Sequence, residues 1–304
     1  MYTLAGRTVQ GSRNNILYHI QAILISAIWG ITFVSTKVLM TSGLGPEEIM
    51  LLRFVLAYIF IWTISPRKFW ANKLKDEFLM LVLGVVGGSF YFLAENIALQ
   101  YIQASDVSIL LSIIPLLSAL VAPLFFKTEK ITKSLIVGAV VALAGVGLVV
   151  MNEHAELHPN PIGDILVIAA SIMWVAYGII IKKLGKAYSS IFITRKVFFY
   201  GILTILPVFP IMGTGLHLEA MLNLKVVLNL LFLGLIASYW CYFSWNKVID
   251  RLGVVTSNNY LYLSPLATFV FSAIVLNETI TLEALVGASL ILVGVFLAQK
   301  KQSS

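Results

Sequence analysis

Glu95 stands well inside an apolar stretch, 78–101, that is long enough to cross a bilayer. An ionised carboxylate there is costly, so such a residue faces a cavity or a partner. Gly84, Gly88, Tyr91 and Phe92 share its helical stripe, a spacing that sets small residues beside aromatics on one face. That suits a cavity wall, with Glu95 as a proton site or a site for a substrate amine. The alternative is a fixed ion pair with Arg53 or Lys37 that only holds helices together. Burial disfavours the charged form and a nearby cation favours it. Arg53, two turns into the preceding apolar run, has the geometry of a carboxylate clamp, since a guanidinium offers two parallel hydrogen bonds. It could instead snorkel or pair with Glu95. Lys37 lies nearer an end of its run and reads as a snorkelling residue.

Aromatic and polar residues extend the candidate path. Trp29 and Trp174 occupy the middles of their runs, away from the interfaces where an aromatic belt would form. Either they stack against a flat or apolar substrate or they pack the bundle. Tyr177, Tyr239, Trp240 and Trp245 add aromatic surface to the second half. Pro115 and Pro265 fall close to mid-run, and each removes a backbone donor. Paired interruptions in corresponding helices point to a midplane site. Ser105, Ser108 and Ser112 precede the first proline, and Asn258 and Tyr262 stand at the matching places before the second. They could line an aqueous path, although membrane serines also bond their own helix carbonyls. Asn96 and Asn246 could join helices by hydrogen bonds.

The elements that must position these residues follow from composition. Of 304 residues, 59% are hydrophobic and 12% charged, against roughly 25% charged in a soluble chain. A bilayer can absorb that much apolar surface. Ten stretches read as spans: about 16–38, 47–65, 78–101, 104–126, 132–151, 162–182, 191–213, 225–249, 254–276 and 282–299. Arg7 and Arg13 precede a first run too long for a signal peptide. With the N-terminus inside, 18 of the 21 Lys and Arg fall in cytoplasmic segments, and only Lys37, Arg53 and Lys225 lie elsewhere. That asymmetry follows the positive-inside rule and explains the net charge of +7 as topology rather than nucleic-acid binding. Cys241 is the lone cysteine and excludes an intrachain disulfide.

The second half repeats the first. At an offset of 150, Gly84 pairs with Gly234, Asn96 with Asn246 and Pro115 with Pro265. At 149, Glu129 pairs with Glu278, Gly138 with Gly287 and Gly145 with Gly294. At 145, Ser26 pairs with Ser171, Trp29 with Trp174 and Lys37 with Lys182. Trp245 is then the counterpart of Glu95, so the two walls differ chemically. Five spans per copy force the second to enter upside down. The predicted architecture is an all-α membrane protein of two inverted five-helix repeats, 1–151 and 162–304, joined by a linker at 152–161, with both termini cytoplasmic. Such a pair can open alternately to the two sides.

The Trp29-Gly30 pair with Lys37, Arg53-Phe54, Pro115 with Glu129, Gly138 and Gly145, and the second set Pro265, Glu278, Gly287 and Gly294 resemble the EamA-type carriers of the drug/metabolite transporter superfamily. The resemblance covers nearly the whole chain. It implies carriage of small metabolites across the inner membrane, commonly export of amino acids and related compounds. The lipid bilayer and a small-molecule substrate are the implied partners. Carriage of nucleotides, sugars or lipid-linked substrates is the alternative. A membrane enzyme would need a nucleophile and base, or metal ligands, within spans, and all four histidines lie outside span middles. No cofactor is expected. His154 and His158, with Glu153 and Glu156 near, flank prolines and read as loop residues rather than metal ligands. Glu129 and Glu278 are expected to cap the helix that follows each or to fix its loop. Gly138, Gly145, Gly147, Gly287 and Gly294 permit close packing within the bundle; a homodimer seam is the other use, and a monomer suffices.

Overall fold

The computed structural model describes residues 4–64, 69–126, 133–156 and 161–299. They form α1 (Leu4–Thr41), α2 (Pro46–Ile64), α3 (Leu74–Tyr101), α4 (Ala104–Phe125), α5 (Lys133–Glu156), α6 (Pro161–Leu184), α7 (Ser190–Met212), α8 (Leu224–Leu252), α9 (254–275) and α10 (Leu282–Gln299). Among the described residues there is no strand. Helices are the expected answer for so apolar a chain, because each satisfies its own backbone polar groups without water. Six are long and apolar enough to cross a membrane: α1 over Ile16–Thr41, α3, α4, α6, α7 and α8. The other four fall short of that measure. α2 concentrates Glu47, Glu48 and Arg53 in 19 residues. α9 carries Ser257, Asn258, Asn259 and Ser264, which lower its hydropathy, and the apolar runs of α5 and α10 are shorter, Ile136–Gly145 and Leu282–Gly294. α5 continues to Glu156, so its backbone stays helical into the segment expected to be a linker. Glu129 and His158 lie outside the described residues, as do the side chains of Glu153, His154 and Glu156.

Polarity is turned inside out relative to a water-soluble bundle. Ile136, Val140, Ile165, Ile172, Ile236, Ile274 and Phe296 face outward. Ser26, Thr36, Ser118, Ser171, Ser238, Ser257, Thr268 and Ser272 are buried. An apolar jacket, with the polar groups turned inward among a largely apolar core, is what lipid requires.

Helix pairings run between the halves and come in matched sets. α1 packs on α8 and α9; their counterparts α6, α3 and α4 pack in the same way. α2 packs on α8, as α7 packs on α3, and α5 runs along α10. The last pair rests on glycines. A Cβ added at Gly145 would lie 2.6 Å from the Gly287 carbonyl oxygen, and one at Gly294 would lie 2.5 Å from the Ala142 nitrogen. Gly147 faces open space and has no such role. Gly294→Val should therefore push α10 off α5 and lower the melting temperature of the detergent-solubilised protein by several degrees, since overpacking costs about 1–3 kcal/mol. An unchanged melting temperature would show that the two helices can separate freely.

Four helices depart from regular α geometry in matched pairs, and α7 is also interrupted, at Leu206–Pro207. α3 carries a π-helical turn at Val85–Ser89, within which Gly88 leaves helical dihedrals, and α8 carries a longer one at Phe232–Trp240. α4 breaks between Leu111 and Ile114, and α9 passes through a 3₁₀ turn at Asn259–Leu263. Pro115 and Pro265 each sit at the start of the helical piece that follows, where a missing N–H costs nothing.

Candidate functional site

α3, α4, α8 and α9, with α1, α2 and α6, surround a central cavity. It is lined by Trp29, Thr32 and Phe33 of α1, Arg53 of α2, Tyr91, Phe92 and Glu95 of α3, and Ser108, Leu111 and Ile114 of α4. Trp174 of α6, Tyr242 of α8, and Leu261 and Ser264 of α9 close it from the other half. Its volume is about 40 Å³. A water needs roughly 10–15 Å³ of such space, so the cavity admits a few waters and no metabolite.

Arg53 and Glu95 are both buried, at 1% and 3% exposure. No hydrogen bond joins them, and their coupling is coulombic. Tyr91, one turn before Glu95, presents its hydroxyl to the carboxyl. The guanidinium lies 4.1 Å from the centroid of Phe92, a cation–π contact. Its Nε donates to Ser238 Oγ at 2.9 Å, while Nη1 has no protein partner. The site thus holds one carboxyl and one guanidinium, each with bonding capacity left over. The reading of Glu95 as half of a fixed hydrogen-bonded pair with Arg53 does not describe this geometry.

The repeat-related Trp29 and Trp174 meet at the centre, ring centroids 5.2 Å apart and edge to face. Trp29 donates from Nε1 to the Ala237 carbonyl at 3.0 Å, and Trp245 packs behind it at 4.9 Å. Trp174 lies against Tyr91 at 5.2 Å, and its own Nε1 is buried without a partner. Glycine is required where α3 bends past these rings. A Cβ at Gly87 would run into the Tyr177 ring, and one at Gly88 would touch Phe54.

Trp29, Arg53, Tyr91, Glu95, Ser108 and Trp174 therefore share one cavity. The other candidates stand elsewhere. Tyr177 stacks behind Trp174 and donates to Asn246 Oδ1 at 2.7 Å, so it supports the wall instead of forming it. Asn258 donates to Ser118 Oγ at 2.6 Å and ties α9 to α4. Tyr262 packs among Ile109, Phe269 and Ile291. Trp240 is half-buried at the edge of the main core. Ser112 bonds the Ser108 carbonyl of its own helix, and Ser108 bonds that of Ser105 while still lining the cavity. For Ser112, Asn258 and Tyr262 the reason is rotational: each break in α4 and α9 turns the residues around it away from the stripe a continuous helix would give.

Lys37 is not a cavity charge. Its ammonium donates to the Leu99 and Ile102 carbonyls, at 2.6 and 2.9 Å, and caps the end of α3. Lys182 does the same for α8, donating to the Ile249 and Asp250 carbonyls. Arg195 and Lys196, grouped by sequence with the cytoplasmic loop charges, are buried within α7. Glu278 does not cap its own following helix. It accepts from the Ala104 and Ser105 nitrogens and so caps α4 in the opposite half.

Tyr242 is one of the lining residues that sequence reasoning missed; Thr32 and Ser264 are others. Tyr242 is the counterpart of Phe92 at the offset of 150, and carrying the Phe92 stripe across the repeat would have found it.

Polar contacts join the halves at both ends of the bundle. At one end Glu77 of α3 accepts from Lys196 and Tyr200 of α7. At the other, Glu48 of α2 meets the backbone and ring of His217, and Glu278 seats on α4. Among the described residues no cluster of His, Cys, Asp and Glu could hold a metal.

Comparison with known proteins agrees with this arrangement. The chain is 26% identical over 282 residues to an uncharacterised transporter of Archaeoglobus fulgidus, covering 92% of this chain and 97% of that one. It is 26% identical over 281 residues to a probable terminal-alkyne amino-acid exporter of Streptantibioticus cattleyicolor, covering 92% of each. A solved crystal structure superposes with a TM-score of 0.65 at 16% identity, over 94% of this chain and 97% of the other, and shares the fold. The profile of the EamA-like transporter family matches twice in succession, at residues 16–151 and 161–299. The protein is thus a multi-pass integral membrane transporter that belongs to the EamA-like transporter family.

Proposed function

We propose that the protein is a secondary carrier of amino acids or closely related compounds, working by alternating access around the Arg53–Glu95 cavity. The observation that carries this reading is a buried guanidinium and a buried carboxyl, with no hydrogen bond between them, facing one aromatic cavity at the seam of two repeats. Arg53 takes the substrate carboxylate through its unpartnered nitrogen and Glu95 takes the ammonium. Trp29, Trp174 and Tyr242 receive the side chain. A cavity of about 40 Å³ with polar contacts across both ends fits a carrier between openings better than a channel. A nucleotide would call for several cations, and Arg53 is the one cation among the described lining residues.

In this reading the chain crosses the cytoplasmic membrane ten times, with both termini inside and the second repeat inverted. The two lysine caps support inversion. Lys37 caps α3 and Lys182 caps α8 in equivalent ways, and the charge distribution puts the first outside and the second inside. Export is the proposed direction, in keeping with the family resemblance and the exporter named among its relatives.

Counterflow in proteoliposomes tests the proposal. Unlabelled amino acids are preloaded one at a time and entry of the matching labelled tracer is followed. Preload-dependent accumulation establishes a carrier and names its substrate group. No accumulation across the panel, from folded protein, would reject the amino-acid reading. With a substrate in hand, Trp174→Ala should raise the half-saturating concentration about tenfold, because a lost aromatic contact and its buried area together exceed roughly 1.5 kcal/mol. An unchanged value would reduce Trp174 to packing.

A further inference from the structure

The two π-helical turns are held by the cavity wall, and each is held from the opposite half. Tyr242 of α8 donates its hydroxyl to the Gly87 carbonyl in the turn of α3, at 2.7 Å. Trp29 of α1 donates its indole N–H to the Ala237 carbonyl in the turn of α8, at 3.0 Å. Gly87 and Ala237 are repeat equivalents at the offset of 150. The next pair of equivalents is Gly88, where α3 leaves helical dihedrals, and Ser238, which accepts from Arg53. Three residues that line the cavity thus reach the same two places in the two repeats. The rings of Trp29 and Tyr242 also touch, with centroids 5.9 Å apart. π turns and inserted side chains are the usual causes of bends in long helices.

We propose, resting on the carrier reading above, that Tyr242, Trp29 and Arg53 are positioning residues that couple occupancy of the cavity to paired hinges at Val85–Ser89 and Phe232–Trp240. A solute entering a cavity of this size must displace the aromatic rings. Moving Tyr242 and Trp29 draws on the Gly87 and Ala237 carbonyls. A carboxylate on the outer nitrogen of Arg53 draws on Ser238 through Nε. Because each hydrogen bond crosses the seam, the hinge of one half responds to rings anchored in the other, and the two hinges switch together. The exchange of contacts is one of hydrogen bonds only.

Two variants of the full chain in lipid nanodiscs test this. Tyr242→Phe removes one hydroxyl and keeps the ring. Ser238→Ala removes the Arg53 contact without touching the cavity lining. Amide hydrogen exchange, read without any ligand, should rise about tenfold at residues 85–92 in Tyr242→Phe and at 232–242 in Ser238→Ala, the worth of one buried hydrogen bond. Counterflow of labelled L-amino acids should then show turnover lowered about tenfold, with the half-saturating concentration changed less than about twofold. Unaltered exchange at both turns would overturn the proposal. So would turnover and half-saturation moving together, which marks a lining role alone. Absence of counterflow in the unaltered protein would overturn the carrier reading, and hydrogen exchange would still decide whether these bonds hold the hinges.

Discussion

Glu95→Gln should lower substrate exchange about 100-fold while leaving the protein folded. The substitution keeps shape and removes charge at a residue 3% exposed. Breaking one partner out of a buried charge pair costs roughly 3–5 kcal/mol, because the other charge is left uncompensated. Here the uncompensated group is Arg53, whose field is coupled to Glu95. The zwitterion reading adds a second loss, since the substrate ammonium has no carboxylate to meet. Counterflow measures the exchange, and monodispersity with an unchanged helix content checks the fold. If Glu95 also carries a proton, Gln at this position should abolish the response of transport to an imposed pH gradient. An unchanged rate and an unchanged response to the gradient would remove Glu95 from the mechanism.

Arg53→Ala should raise the half-saturating concentration about 100-fold, because the substrate carboxylate then loses its charged hydrogen-bond donor in a desolvated cavity, a loss of about 2–5 kcal/mol. The side chain makes three kinds of contact: the Ser238 hydroxyl, the Phe92 face and the cavity. Arg53→Lys separates them. A lysine keeps a point charge for the carboxylate and loses the planar fork and the Nε donor. It should recover much of the affinity and little of the turnover. Equal loss of both parameters in Arg53→Lys would mean that guanidinium geometry, not charge, recognises the substrate. Full affinity in Arg53→Ala would mean that the substrate carries no anion at this position.

The two substitutions also discriminate among substrate classes. An uncharged sugar would depend weakly on either residue, and a nucleotide would depend on Arg53 and be helped by loss of Glu95. An amino acid depends on both.

Much of the molecule is legible in its sequence. Hydrophobic runs give the helix ends to within about five residues, apart from the start of α1 at Leu4, because a segment in lipid has no choice but to satisfy its own backbone. The buried charges Arg53 and Glu95 announce themselves, since an ionisable group within an apolar run must find a cavity or a partner. The tryptophans Trp29 and Trp174 are marked by their depth. The matching of Gly84 with Gly234 and of Pro115 with Pro265 exposes the repeat.

What the tertiary structure alone decided is which side of each helix looks inward and where each helix turns. In water a helix declares its buried face by amphipathicity. In a bilayer the lipid is as apolar as a protein core, so the pattern carries little of that signal. Asn258 and Tyr262 stand at the places matching the serine stripe before Pro115, and the breaks in α4 and α9 turn those places away; Tyr177 sits on the unbroken α6, where it stacks behind Trp174. The π turns of α3 and α8 shift the frame once more, which brings Tyr242 to the cavity and leaves Trp240 at the rim. The bonds from Tyr242 to Gly87 and from Trp29 to Ala237 join residues 155 and 208 positions apart. No local pattern specifies them. They exist because two similar halves pack face to face, and each supplies the donors that the bent helix of the other accepts.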